Sequence, residues 1–411
     1  MDKDYLKLLL GYKYYTSTEL RYDNSEGFCL TNRELDDFKK YKQDLLDNQD
    51  PNFYNIDLKP FNKHSLFYVE SQELLSLNSD YFKLVLSELK DEETLTNKRY
   101  LEEILLSRVY SEIEGTLSIE NVPTTRMRIE QIIKGDDIKD KNDQIIKNMT
   151  NAIEYILKKP EFNKDNLHKL YEMLSDKCLE ESQVLKDYYR DAPVYIDRYD
   201  CAPVEAIDEC MNSLFSFINK NINNREISFL LPHIAHYYIV YIHPYFDYNG
   251  RTARMVSLWI SLLTDYNISN PIYLSEAIND NKKLYYNALR ETRDMNNDVS
   301  YFLIYILKIS IKYLFIYKNM AHIEDNMLQK GISLSSSEKN YLKKILVHSL
   351  NAYFDYKHFM LYANITVTKQ AALKMLNKFE TYGILSSIIN DKKVKLYKFD
   401  KALLKYTIPT V

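Results

Sequence analysis

Glycine is scarce in this chain, with seven residues in 411, and proline adds only ten. Because both residues interrupt regular structure, their scarcity predicts long helices and excludes loop-rich or collagen-like folds. Cysteine is also rare: Cys29, Cys178, Cys201 and Cys210 lack the CxxC spacing of zinc and redox motifs. The four thiols therefore predict neither a disulfide framework nor a zinc site.

No apolar run is long enough, without charge, to predict a membrane-spanning helix. The longest run, near residues 300–317, is interrupted by Lys308 and Lys312. The first 15 residues have a short apolar core and no small-residue cleavage site, so no export signal is expected. The composition, 45% hydrophobic and 27% charged, is typical of a globular protein. We expect a cytoplasmic protein without membrane contact.

Positive charge is concentrated at the C-terminal end. Residues 331–411 hold 13 lysines against five acidic residues, a net charge of +8, although the whole chain carries −4. Thr366 or Thr368 can cap a helix in this tail, and Gly383 can end it. Two short apolar runs then flank a turn at Asn390–Asp391.

A helix followed by a hairpin with a basic tip is typical of a winged helix-turn-helix domain. The tail is therefore predicted to be a winged helix that contacts DNA. The alternative is a small helical cap used for dimerisation or packing.

Apolar residues at three- and four-residue steps predict helices through most of the remaining chain. One helix is expected at about 97–115, with Gly115 as its left-handed C-terminal cap, and others at 143–158 and 165–175. Residues 188–203 alternate apolar and polar positions and predict a short hairpin or extended flap. The fold class is thus mainly α.

The stretch HPYFDYNGRTAR, residues 243–254, combines a histidine, an acid and two arginines around an Asn-Gly pair. The apolar spacing downstream predicts a helix that begins near Gly250, with Arg251 and Arg254 near its start and pointing away from the core. A helix start with two guanidinium groups favours a polyphosphate. Asp247 is a ligand type suited to Mg²⁺ on those phosphates, and His243 can abstract a proton near neutral pH.

These residues resemble the signature of the Fic family, H-P-F-x-D/E-G-N-G-R-x-x-R. Seven positions match it: His243, Pro244, Asp247, Asn249, Gly250, Arg251 and Arg254. The resemblance covers roughly residues 95–310 and includes YRDAPVYI, which is similar to the family's target-aligning flap. It implies a Fic-fold helical domain with a short β-hairpin flap, placed at 91–322 between an N-terminal helical region, 1–90, and a winged helix domain, 323–411.

The resemblance implies a protein adenylyltransferase, which transfers AMP from ATP to a Ser, Thr or Tyr hydroxyl of a protein. His243 would be the general base, and Asp247 would hold Mg²⁺. The phosphates would be bound by Asn249, Gly250, Arg251 and Arg254. The flap residues Val194, Tyr195 and Ile196 would bind the target, and Tyr285 would contact adenine. Expected partners are an unidentified protein substrate, the chain itself through self-modification, DNA through the tail, and a second copy of the chain.

Two features qualify that implication. Tyr248 stands where the family pattern has its first glycine, and a bulky side chain there suits a positive φ poorly. In addition, YSEIEGT resembles the family's inhibitory helix, S/T-x-x-x-E-G/N, with Tyr110 at the Ser/Thr position. Glu114 would then pair with Arg254 and exclude the ATP γ-phosphate.

Two alternatives remain. His233 and His236, with His243, could suggest a metal hydrolase, but their spacing lacks the H-E-x-x-H pattern, and such residues are typically found in cores. The other alternative is a catalytically weakened Fic-like scaffold that regulates transcription through the tail.

Overall fold

The computed structural model describes residues 5–22, 29–94, 98–196, 199–264, 274–349, 352–362 and 368–404. Those between 86 and 107 are described by their backbone alone. The chain divides into two compact units, residues 1–310 and 311–411. The expected N-terminal region, 1–90, lies within the first unit. The boundary between the units falls inside a long helix, Ser300–Gln329.

The first unit is mainly helical, as the periodicity predicts, and its described residues include two short two-stranded sheets. Its elements in chain order are α1 (Tyr5–Leu10), α2 (Ser17–Tyr22), α3 (Asn32–Asp47), β1 (Phe53–Asn55), β2 (Phe67–Val69), α4 (Gln72–Thr94), α5 (Lys98–Ile119), α6 (Arg126–Ile133), α7 (Lys141–Leu157), α8 (Lys164–Ser175), β3 (Tyr195–Ile196), β4 (Tyr199–Asp200), α9 (Val204–Asn221), α10 (Leu231–Ile242), α11 (Asn249–Leu263), α12 (Leu274–Asp280), α13 (Lys282–Asp294) and the start of α14 (Ser300–Gln329). Polar caps fix several helix starts; for example, Asp140 and Asn163 accept backbone N–H bonds at the starts of α7 and α8.

Helices α10 and α11 form the centre of this unit. They pack on each other, α10 also packs on α9, and α11 packs on α7 and α8. Almost every residue of α10 is buried, because its sequence is apolar on all faces. Trp259 of α11 is fully buried and donates an indole N–H bond to the carbonyl of Pro160 at 2.9 Å. The loop between α10 and α11, which carries the motif of residues 243–254, is therefore held at both ends by the core.

Helix α5 does not end at Gly115, so that prediction is wrong: it continues to Ile119. A Cβ atom on Gly115 would lie 2.5–2.6 Å from backbone atoms of Ser275 and Glu276. The glycine is thus required for the close approach of α5 and α12, not for a left-handed cap. Glu112, one turn earlier, adds to the contact by accepting bonds from the Ser275 backbone N–H, at 3.0 Å, and hydroxyl.

The predicted flap is confirmed as a short antiparallel hairpin. Strand β3 pairs with β4 in the register Tyr195 with Asp200 and Ile196 with Tyr199. Tyr195 is exposed, whereas Ile196 and Tyr199 turn toward the protein.

The second unit holds the rest of α14, then α15 (Ser336–Ser349), α16 (Tyr356–Tyr362), α17 (Lys369–Thr381) and the antiparallel pair β5 (Leu385–Ile389) and β6 (Lys395–Phe399). Thr368, one of the two predicted caps, accepts a bond from the Ala371 backbone N–H, while Thr366 lies outside the described residues. The helix ends just before Gly383, as predicted, and this glycine has φ +72°, in the left-handed region. An antiparallel bridge between Phe354 and Tyr397 adds a third strand position to the hairpin.

Helix α14 is the one helix among the described residues that is long and apolar enough to cross a membrane by length and composition alone. However, 83% of its most apolar window is buried inside the protein. Such burial is the environment of a core helix, because a lipid-facing helix would expose that surface.

Candidate active site

The loop between α10 and α11 begins with a histidine in an unusual backbone conformation. His243 follows the last turn of α10 with φ 56° and ψ 61°, in the left-handed region. Arg190 stabilises this turn: its Nε donates to the His243 carbonyl at 2.8 Å, and its backbone N–H donates to the Pro244 carbonyl at 3.0 Å. The backbone of the histidine is thus fixed by a side chain more than fifty residues away.

Asn249 fixes the other end of the loop. Its buried side chain accepts a bond from the Tyr245 backbone N–H at 3.0 Å and donates to the Tyr245 carbonyl at 2.8 Å. The amide thus ties the loop to the start of α11, where the backbone N–H of Asn249 can be offered to a phosphate. Helix α11 begins at this residue, as predicted from the apolar spacing.

A cavity of about 330 Å³ lies beside this loop, within the size range of small-molecule sites. Several predicted site residues meet in its wall. The described residues that line it are Glu120, Ile196, Tyr199, Val240, His243, Phe246, Asp247, Tyr248, Asn249, Gly250, Arg254, Tyr285, Tyr286, Leu289, Arg290 and Arg293. Of the predicted site residues, Val194, Tyr195, Arg251 and Glu114 are not among them.

The imidazole of His243 is neutral at physiological pH. Burial lowers its pKa to about 4, and the guanidinium groups of Arg190 and Arg293 act in the same direction. The ring can therefore accept a proton without first losing one.

Asp247 offers one carboxylate to the cavity. Its side chain is 45% exposed, and its Oδ1 accepts a bond from the Tyr248 backbone N–H at 2.6 Å. No cluster of three or more metal-ligating side chains occurs in the described parts of the chain. One carboxylate fits Mg²⁺ that arrives on the phosphates of a nucleotide, because such ions keep few protein ligands.

Arg254 is paired with an acid, but not with the predicted one. Its Nη2 lies 2.6 Å from Oε1 of Glu120, and its Nε donates to the Thr116 hydroxyl at 2.7 Å. Burial alone would raise the pKa of Glu120, but Arg254 holds it below its ordinary value. Thr116 lies in the last turn of α5 and Glu120 directly follows that helix, so the C-terminal end of α5 contacts the first turns of α11.

The prediction that Glu114 pairs with Arg254 is wrong. Glu114 is 47% exposed, and its carboxylate lies 3.9 Å from Arg126. Positions 112, 116 and 120 share the inner face of α5, because four residues are slightly more than one helical turn, whereas 114 lies on the outer face. The segment Thr116–Asn121 fits the S/T-x-x-x-E-G/N pattern at every fixed position, so the sequence contained the signal for Glu120.

The contact between Glu120 and Arg254 also explains why a glycine occupies position 250. A Cβ atom there would lie 2.9 Å from Oε1 of Glu120 and 3.3 Å from Nη1 of Arg254. The glycine therefore lets a carboxylate, or another anion, approach the start of α11 closely.

The predicted exposure of the two arginines is also wrong. Arg254 is 1% exposed and Arg251 is 6% exposed. The periodicity of α11 identifies its most apolar face correctly, but the helix is covered on its other faces as well. The apolar periodicity of one helix does not show which other parts of the chain pack against its polar faces.

The histidines of α10 have core environments. His236 is fully buried and its Nε2 lies 2.9 Å from the Tyr285 hydroxyl. His233 is also buried, and burial lowers its pKa to about 4. Tyr285 itself lies in the cavity wall, so the position of the predicted adenine contact is compatible with a ligand.

Two buried or half-buried arginines contribute in ways that the sequence did not indicate. Arg190 also donates to the carbonyls of Ala192 and Ala202, at the two ends of the flap. Arg293 donates to the Tyr241 carbonyl at 2.8 Å and the Asp200 carbonyl at 3.1 Å. The flap and the end of α10 are thus held together by guanidinium groups bound to backbone oxygens.

Comparison with known proteins agrees with this geometry. The model of the Fic/DOC family matches residues 161–261, which include α8 to α11 and the motif loop. No curated protein matches the chain.

Several solved structures are similar. A Fic family protein from Desulfovibrio desulfuricans G20 has a TM-score of 0.51 and 16% identity, and the match covers 81% of this chain and 97% of that one. Fic-1 (aa134–508) from C. elegans has a TM-score of 0.46 and 16% identity over 73% and 79% of the two chains. A Fic domain containing signaling protein from Bacteroides thetaiotaomicron VPI-5482 has a TM-score of 0.46 and 17% identity over 64% and 98%. At these identities the likeness concerns the fold.

The family match and the loop geometry lead to the same assignment. The motif loop, the flap and the helices that hold them lie in or around the matched segment. Residues 161–261 of this chain form a Fic/DOC family domain.

Proposed function

We propose that this protein is an adenylyltransferase that transfers AMP from ATP to a hydroxyl group of a protein, and that Glu120 inhibits it. The observation that carries the proposal is the meeting of His243, Asp247, Gly250 and Arg254 in the wall of one cavity. A base, a metal-binding carboxylate and an anion site are the groups that such a transfer needs.

In the proposed reaction, a Ser, Thr or Tyr hydroxyl of the target attacks the α-phosphorus of ATP. The new bond joins the target oxygen to that phosphorus, the bond to the β-phosphate oxygen breaks, and pyrophosphate leaves. His243 accepts the hydroxyl proton, since its imidazole is neutral. Arg190 keeps this base in place through the backbone.

The start of α11 would bind the phosphates. The backbone N–H groups at Asn249 and Gly250 belong to the first turn of α11, Gly250 has no Cβ to block an anion there, and Arg254 lies about one turn further along. Asp247 would hold Mg²⁺, which supplies positive charge against the phosphate oxygens. The protein's contribution is mainly positioning and electrostatic stabilisation.

The contact of Glu120 with Arg254 supports the proposed inhibition. The carboxylate occupies the guanidinium that a phosphate would bind, and it lies beside Gly250, where the phosphate would approach. Lys282 binds the Ile119 carbonyl and the Asn121 side chain, which fixes the end of α5 in this position. ATP must therefore displace a charged pair before its phosphates can bind fully.

Two labelled nucleotides test the transfer itself. The full-length protein is incubated with Mg²⁺, a total cell extract and ATP labelled at either the α- or the γ-phosphate. We expect label on protein from α-labelled ATP alone, with adducts of one AMP in mass spectra of tryptic peptides. Label from the γ-phosphate would instead identify a kinase, and no label from either, including with a Glu120→Ala variant, would refute the proposal.

The second candidate function, DNA binding, is supported by the fold of residues 336–399. Three helices are followed by a hairpin, and the Phe354–Tyr397 bridge supplies the extra strand of a winged helix-turn-helix. Lys369 and Lys374 are exposed on α17, and Lys392 and Lys393 are exposed at the hairpin tip. Such cations on a helix and a wing are suited to the phosphates of duplex DNA.

Salt-dependent binding to duplex DNA tests this second function. We expect the Lys392→Gln/Lys393→Gln variant to bind more weakly and to reduce the slope of log K against log salt by about 2, or roughly 0.9 for each lost phosphate contact. Lys401→Gln is the control, because Lys401 is exposed at the opposite end of the hairpin. Identical slopes for the tip variant and the wild type in fluorescence anisotropy titrations would exclude the tip as a DNA contact.

A further inference from the structure

Tyr248 has a backbone conformation that suits glycine better than tyrosine. It precedes α11 with φ 67° and ψ 6°, in the left-handed region that side chains with a Cβ rarely adopt. The family pattern has glycine at this position. A buried aromatic residue that accepts this strain implies that its ring makes contacts that compensate for it.

The ring of Tyr248 is held on both sides. The guanidinium carbon of Arg251 lies 3.5 Å from the ring centroid, the geometry of a close cation–π contact. The phenol group also interacts with the thiol of Cys178. The ring therefore cannot turn without losing either the hydroxyl contact or the stacked cation.

Arg251 is buried with donors unused. Its Nε and Nη1 have no hydrogen-bond partner among the described residues, and its Nη2 lies 3.9 Å from Oδ1 of Asp247. Asp247, Tyr248, Asn249 and Gly250 line the cavity, but Arg251 is absent from the described lining residues. The guanidinium thus lies behind the residues that form this part of the cavity wall.

We propose that Tyr248 determines nucleotide affinity by holding Arg251 behind the wall of the cavity. A phosphate chain then meets Arg254 and backbone N–H groups at the start of α11, while the second arginine of the motif stays stacked on the ring. Moving Arg251 to the phosphates would break the stack, and this cost opposes the gain from charge-assisted bonds. The inference rests on the proposed function in taking a nucleotide as the ligand.

The test is the binding of ATP with Mg²⁺ to ring-deleted variants, measured by calorimetry. Tyr248→Gly removes the ring and suits the left-handed backbone, so we expect about tenfold tighter binding once Arg251 can reach the phosphates. Tyr248→Asn, which also tolerates this conformation, should show the same direction of change. Tyr248→Phe keeps the stacking surface and should bind ATP as the wild type does.

A double variant that also changes Arg251 distinguishes an effect of the released arginine from a general loosening of the loop. In the Tyr248→Gly/Arg251→Gln double variant the gain should disappear, and adenosine, which has no phosphate, should bind all variants equally. Inorganic tripolyphosphate is used as a further probe, since its binding does not depend on AMP transfer. The proposal is overturned if Tyr248→Gly binds ATP no more tightly than wild type, or if the gain survives Arg251→Gln. Failure of AMP transfer alone would leave these binding measurements unaffected.

Discussion

His243→Ala is expected to reduce AMP transfer by about 10²- to 10⁴-fold, the usual contribution of a positioned general base. The imidazole lies in the cavity wall, and its backbone is fixed by Arg190, so the variant leaves the target hydroxyl without the proposed base. The rate is measured with α-labelled ATP under saturating conditions. ATP affinity should change little, because the lost interaction concerns the target hydroxyl.

His64→Ala serves as the control for this variant. His64 is a half-exposed histidine in the loop between β1 and β2, and it is not part of the cavity wall described above. Transfer by His64→Ala should equal that of the wild type. If His243→Ala retained the wild-type rate, His243 would not be the base.

The pH dependence provides a separate check on the same residue. Burial lowers the pKa of His243 to about 4, so the base is deprotonated and active above this pH and is lost as pH falls through it. The contribution of His243 to the rate should thus be constant between pH 6 and 8. A decline of activity centred near pH 6.5 would indicate a solvated histidine instead.

Glu120→Ala is expected to raise AMP transfer by about ten- to a hundredfold. The carboxylate pairs with a guanidinium that is almost fully buried, and a hydrogen bond to a charged group contributes about 1.5–3 kcal/mol, which corresponds to that range of rate. Its removal leaves Arg254 available for phosphate. The measurement is the rate of AMP incorporation at subsaturating ATP, together with the apparent KM.

Glu114→Ala is the matched control, since it makes the same chemical change on the same helix. Its carboxylate is half-exposed near Arg126, so AMP transfer should not change. A larger increase from Glu114→Ala than from Glu120→Ala would contradict the assignment of the inhibitory residue. Equal rates in Glu120→Ala and wild type would argue against inhibition by α5.

The motif loop was predictable because its chemistry lies in consecutive residues. His243, Asp247, Gly250 and Arg254 fall within twelve positions, and a helix start next to an Asn-Gly pair indicates an anion site without tertiary information. The flap hairpin and the helix before Gly383 were predictable for a similar reason, since their periodicity and their breakers are local.

The acid that pairs with Arg254 was not predicted correctly, because a glycine such as Gly115 can serve either of two structural purposes. A glycine near the end of an apolar stripe fits a left-handed cap, yet it also fits a close crossing of two helices. The sequence of α5 alone does not distinguish them. The crossing with α12, which involves Ser275 and Glu276, is about 160 residues away, and it extends α5 far enough for Glu120 to reach Arg254.

The burial of charged side chains was the other feature that local sequence patterns could not predict. Arg190 finds its acceptors in three backbone segments, at Ala192, Ala202 and His243, that come together in the folded chain. Arg251 and Arg254 are covered because other elements pack over α11. Such contacts depend on how distant segments come together in the fold, which the sequence of one helix does not reveal.

The Glu120–Arg254 contact joins two parts of one polypeptide, and this limits how the proposed activity can be regulated. The carboxylate acts at a fixed local concentration, so dilution of the protein does not release it. Relief must come from an event that moves α5, such as a bound partner or a chemical change at that helix. Activity should accordingly respond to what α5 contacts, and the abundance of the protein should leave the inhibited fraction unaltered.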